Sequence, residues 1–211
     1  GKDDADRISA FIVPKFLQGY SVSQPFELMG SGGIEAHDVH YDRVRIHREN
    51  MLGEKGKGMG ILLSWIADEK IQQCAACVGL AQAALDQAVS FSITRRVQKG
   101  IQADLQGIRW MLAEMYSRLE AARWITYRTA SIRGKASPNW MTEAAATKIF
   151  VVPSAMDVVD LSRRVHGSYG YTKEFKIERL YRAVAGASAI AVSNEINKSI
   201  VSAAIISQCP D

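Results

Sequence analysis

The spacing of apolar residues changes at one place, the glycine- and lysine-rich segment Gly53-Glu54-Lys55-Gly56-Lys57-Gly58, and this limits the possible fold more than any other feature. Before it, residues 8–13 read as a short strand ended by Pro14, residues 20–22 as another, and residues 37–44 alternate polar with apolar as a half-exposed strand does. Gly30, Gly32 and Gly33 mark the turn before the last of these. So few strands close neither a barrel nor a sandwich, so an incomplete sheet is expected.

After the segment the period becomes helical. Leu62, Trp65, Glu69, Gln72 and Ala76 lie at heptad-like spacing on a first helix that runs on to Arg95. Leu105, Ile108, Leu112, Met115, Leu119 and Ala122 mark a second, ending near Gly134. Ser137-Pro138 opens a third, capped by Ser137 or Asn139, passing through Ile149, Val152, Met156 and Val159 and bent at Pro153. A short helix through Leu180 and a last one through Ile196, Ile200 and Ile205 complete the chain. The expected fold is mainly α: a partial β-sheet region over residues 1–53, then an antiparallel bundle of four-helix type over 54–211.

The chain has 211 residues and a formal charge of +4, with no run of five or six like charges, so nucleic-acid binding gains no support. No apolar run approaches membrane length, and no leader pattern opens the chain. Cys74 and Cys77 form a C-x-x-C, but within an alanine-rich helical run and without a second pair, so small buried hydrophobes are expected rather than a zinc or redox site. With Cys209 the count is odd, which argues for a reducing compartment, the cytoplasm or an organelle interior such as the mitochondrial matrix.

Two places carry candidate chemistry. Between Arg163 and Arg182, two glycines and two tyrosines fall within Gly167-Ser168-Tyr169-Gly170-Tyr171. This either turns one helix into the next or offers bare peptide groups to a phosphate or a cofactor rim. Glu69 lies in line with Leu62 and Trp65. A carboxylate on such a stripe is either turned to solvent or held as a base, since burial disfavours its charge.

The block His166-Gly167-Ser168-Tyr169-Gly170-Tyr171, then Glu174-Phe175, then Glu178-Arg179-Leu180-Tyr181-Arg182, resembles the signature of the acyl-CoA dehydrogenase family. Met29-Gly30, Val39, Tyr41-Asp42, Val44-Arg45-Ile46 and Glu49-Asn50-Met51-Leu52-Gly53 resemble its middle β domain, with His47 in place of a proline, which should loosen that turn. Val78-Gly79-Leu80-Ala81-Gln82 brings Glu69-Lys70 onto the pair that supplies the base in isovaleryl- and long-chain-type members. Most members place that glutamate where this chain reads Ile190-Ala191-Val192-Ser193, so the resemblance implies Glu69, not Ala191, as base.

It further implies FAD as cofactor, with Arg95 on the pyrophosphate, Gln106 beside it, and Arg164, Gly167, Ser168, Ser193 and Glu195 as further contacts. An acyl-CoA substrate, an electron-transfer flavoprotein as acceptor and a homodimer or tetramer are implied with them. Departures accompany these matches: Val97-Gln98-Lys99 for Q-F-G, Arg164 for a glutamine, Ser168 for a glycine and Ala183 for an aspartate. They leave open a non-catalytic subunit of a hetero-oligomer, or a flavin oxidase or monooxygenase on the same fold. The resemblance runs from Ile8 to about Ile205 and omits the family's N-terminal helical domain and the first half of its β domain. A polypeptide supplying that part, in the same protein or a partner, is therefore expected.

Overall fold

A computed structural model describes residues 8–30, 33–133 and 139–208. They form two compact units, one ending at Ile66 and one beginning at Ala67.

The first unit holds two separate antiparallel pairs. Strand β1 (Ala10–Phe11) pairs with β4 (Met51–Leu52), and β2 (Tyr20–Val22) with β3 (Val39–Tyr41), where the rings of Tyr20 and Tyr41 meet edge to face at 5.8 Å. The strands are shorter than the alternation suggested, because bonding past Phe11 leaves the ladder. Ile12 N donates to Asn50 O at 2.8 Å, and Asn50 Nδ2 returns to Ile12 O at 3.1 Å. His47 does not loosen its turn. Its Nδ1 accepts from Glu49 N at 3.5 Å, which caps the single helical turn Arg48–Asn50.

The second unit is the bundle, which helix α1 (Gly58–Thr94) enters from Ala67 onward; α1 is followed by α2 (Gln106–Arg133), α3 (Trp140–His166), α4 (Ile177–Ala187) and α5 (Asn194–Ile206). Side-chain ties give their directions. Arg133 meets Asp68 at 2.7 Å and Arg123 meets Gln82 at 2.6 Å, so α1 and α2 run antiparallel. Arg118 to Asp157 at 2.7 Å and Arg128 to Glu143 at 2.7 Å make α2 and α3 antiparallel. Ser162 Oγ donates to Ala84 O at 2.7 Å, seating α3 beside α1. Within the core, Met115, Leu119, Val151, Val158, Val159, Val165, Ile177 and Val184 are buried. Helix α3 continues through Pro153, which faces outward; Ser137, Pro138 and Gly134 lie outside the described residues.

The buried face of α1 differs from the expected stripe. Leu62, Trp65, Gln72 and Ala76 are exposed, whereas Ala67, Lys70, Cys74, Cys77, Ala81, Ala84 and Ala88 are buried. Small side chains let α2 and α3 approach closely, and shape rather than bulk hydrophobicity selects the face. By length and composition alone α1 could cross a membrane, contrary to the expectation from the sequence. In this fold its small residues pack against the other helices.

Cys74 and Cys77 sit in that packed face as expected. Burial pushes their thiols up to about 12 and about 11. In the native chain neither is expected to react with iodoacetamide at about pH 8, because almost no thiolate is present, whereas denatured chain should react at both. Mass spectrometry of the alkylated protein checks this.

The Arg128–Glu143 pair, at 2.7 and 3.3 Å, holds the Glu143 carboxyl below its ordinary value of 4.5 through the hydrogen bonds from Arg128. A depressed carboxylate stabilises the fold above its unfolded pKa, and the contribution fades as pH falls through the folded value. Glu143→Gln should therefore lower the melting temperature at neutral pH. The difference from wild type should close in acid, as thermal melts across pH would record.

Candidate functional site

The end of α1 and the end of α3 meet through aromatic rings. Phe91, one turn before the end of α1, lies 4.5 Å from the His166 ring, 6.1 Å from Tyr169 and 5.7 Å from Phe175. His166 closes α3 with its Nδ1 on Ser162 O at 2.7 Å, and burial pushes its pKa down. Gly167–Tyr171 then forms a tight helical turn rather than an open loop. The two glycines serve different ends. Gly167 has φ +60 and ψ −134, and a Cβ there would meet nothing within 4 Å. Gly170 is buried, and a Cβ there would press into the carbonyl oxygen of Arg163.

This junction brings several expected site residues together. The Arg95 guanidinium lies 5.3 Å from the centre of the Tyr169 ring, and Arg164 O accepts the Gly167 N–H. Arg95, Arg164 and Ser168 are exposed. Among the described residues, neither Arg95 nor Arg164 is paired with a carboxylate. Residues 95–104, where the Q-F-G match fails, form a closed turn. Val97 N donates to Gly100 O at 3.2 Å, Gln102 N to Arg95 O at 2.9 Å, and Gln102 Nε2 to Val165 O at 2.8 Å. The Gln102 side-chain oxygen is buried without a partner. Gln106 is exposed at the first residue of α2.

The other expected residues gather elsewhere. Glu69 is half-buried on α1 and forms no ion pair among the described residues, while its neighbour Asp68 is bound by Arg133. Its carboxylate favours the charged form of Lys148, a fully buried residue of α3, although burial pulls the Lys148 pKa down overall. Lys148 Nζ donates to the carbonyls of Ile190, Ala191 and Val192. Ser193 follows as the cap of α5, its Oγ accepting from Ile196 N at 3.5 Å, and Glu195 is exposed in the first turn. No hydrogen bond, ion pair or ring contact among the described residues joins this group to Arg95 and Gly167. Lys148 escaped the sequence reading, although a lone lysine inside Ala144–Val152 was a visible anomaly.

Taken together, the fold and these positions define an up-and-down helical domain that presents, at one helix junction, bare backbone and two cations unpaired with carboxylates among the described residues. The family model described as acyl-CoA dehydrogenase, C-terminal domain, matches residues 56–206. The chain belongs to the acyl-CoA dehydrogenase family. It is 34% identical over 197 residues to an acyl-CoA dehydrogenase of Bacillus subtilis, covering 92% of this chain and 51% of that one. It is 33% identical over 175 residues to the caffeyl-CoA reductase-Etf complex subunit CarC of Acetobacterium woodii, covering 83% and 46%. The butyryl-CoA dehydrogenase structure from Megasphaera elsdenii superposes with a TM-score of 0.92 at 28% identity, over 98% of this chain and 54% of the other. The chain thus spans about half the length of the relatives it matches.

Proposed function

We propose that this chain contributes the FAD-binding and base-carrying residues for α,β-dehydrogenation of an acyl-CoA thioester to the 2-enoyl thioester. The observation that carries the reading is the Arg95 guanidinium, exposed, unpaired with a carboxylate among the described residues and lying over the Tyr169 ring beside the open Gly167. The donor chemistry fits the cofactor. Arg95 and Arg164 offer forked cations to phosphate oxygens, the bare Gly167 allows close backbone approach, and Gln106 adds an amide at a helix N-terminus. Ser193 and Glu195 are the further contacts.

FAD held by these residues would supply the acceptor for the hydride that leaves the β-carbon. Glu69 removes the α-proton, and the two departures leave the carbon–carbon double bond. Glu69 forms no ion pair among the described residues, and orientation rather than base strength makes a weakly acidic C–H removable. An electron-transfer flavoprotein is the proposed acceptor, a role to which the Etf complex named for the Acetobacterium relative lends support. A homodimer or tetramer in the cytoplasm or mitochondrial matrix completes the reading.

The test is the visible spectrum of the protein purified from its source with any partner retained, then titrated anaerobically with a panel of acyl-CoAs. A flavin band that bleaches with one of them is the expected result. Arg95→Ala should weaken FAD binding about 10- to 100-fold, the worth of a charged hydrogen bond, as measured by fluorescence titration. A colourless protein that FAD does not reconstitute would overturn the reading. Ala191, at the position where most members are implied to carry the base, then favours the non-catalytic subunit.

A further inference from the structure

The corner before α5 is held in a conformation that its residues disfavour. Ala191 has φ 51 and Val192 φ 74, both in the left-handed region, and Val192 is β-branched. Such geometry persists only where the surroundings over-determine it, and it gathers at functional sites. Two buried side chains supply that constraint. Lys148 Nζ donates to Ile190 O, to Ala191 O at 3.4 Å and to Val192 O at 2.7 Å. Asn197 Nδ2 donates to Val192 O at 3.3 Å and to Ser193 O at 3.0 Å. The chemistry of Lys148 suits the task. An ammonium has three hydrogens for three carbonyls, whereas a neutral amine has two. A buried cation with no carboxylate in ion-pair contact among the described residues needs such acceptors. Glu69, Lys70, Cys74 and Cys77 of α1 are the ionisable groups that act on it.

We propose that Lys148 is a positioning residue, a charged clamp that holds the Ile190–Val192 corner and thereby sets Ser193 and Glu195 for the flavin. The flavin half of this statement rests on the proposed function above; the clamp itself does not.

The experiment compares wild type, Lys148→Met and the triple variant Lys148→Met/Ala191→Gly/Val192→Gly by hydrogen exchange and FAD titration, in the assembly as purified. Methionine keeps the bulk of the side chain and loses the donors. Glycine accepts positive φ without strain, so it relieves what the clamp opposes. In Lys148→Met, the Ile196 and Asn197 amides, which donate to Ser193 Oγ and Ser193 O, should exchange about tenfold faster. Protection in the middle of α2 and α3 should be unchanged. FAD binding should weaken, and the glycine pair should restore much of both losses. Unchanged exchange at Ile196 and Asn197 would overturn the clamp. Loss of protection across α2 and α3 that glycine does not restore would also overturn it, leaving Lys148 as ordinary core. Faster exchange with unaltered FAD affinity would overturn the flavin role, while the clamp would stand. Wild type that binds no FAD would instead remove the proposed function.

Discussion

Glu69→Gln is expected to slow reduction of the bound flavin by acyl-CoA about 10²- to 10⁴-fold, the usual worth of a positioned general base. The amide keeps the size of the side chain but accepts no proton. Asp68, its neighbour, is a poor substitute, because Arg133 holds both its oxygens at 2.7 and 3.1 Å. Ala191, at the other position implied for the base, has no acid–base group at all. Stopped-flow bleaching of the flavin band without oxygen measures the effect. The unreacted spectrum and the FAD affinity should match wild type, since Glu69 is not among the proposed flavin contacts. Asp68→Asn is the companion. It should lower thermal stability through the lost Arg133 pair and leave bleaching intact. If Glu69→Gln bleaches at the wild-type rate, the base lies elsewhere and the mapping from the resemblance is wrong.

The second large effect is on stability, and it separates the two glycines of the turn. At Gly170 an added Cβ would meet the backbone of Arg163, with its carbonyl carbon and its Cγ both 3.1 Å away. Gly170→Ala should cost about 1–3 kcal/mol, as overpacking of a tight core does. For a chain of this size that is a fall of roughly 2–12 °C in melting temperature. Gly170→Val should cost clearly more, because backbone cannot step aside as a flexible side chain does. At Gly167 the penalty comes from the dihedral angles alone, since nothing lies within 4 Å of a Cβ. Gly167→Ala should cost about 1–3 kcal/mol as backbone strain, and larger unbranched side chains should add little to it. Melting curves of the alanine and larger variants at each position give the comparison. A steep dependence on side-chain size at Gly167 would mean that its surroundings are closed, which would count against close approach of a cofactor there.

The period change after Gly53, the helical runs and the ordered block from His166 to Arg182 were all legible in the sequence. Each depends on residue order and local spacing, and turns, caps and helical periods are local physics. The face of α1 was not legible in this way. Leu62 and Trp65 marked a stripe that the structure leaves exposed; with alanine, glycine and cysteine spread around much of the helix, packing against α2 and α3 chose instead the face carrying Ala67, Cys74, Cys77, Ala81 and Ala84. The partners of Lys148 were equally hidden. Its carbonyls lie 42 to 44 residues downstream, and only the seating of α3 against the corner brings them within reach. Gly167 and Gly170 read alike as bare, turn-forming positions. Tertiary structure made one an open positive-φ position and the other a packing contact, because the difference lies in what stands opposite each Cα, and sequence order does not encode that locally.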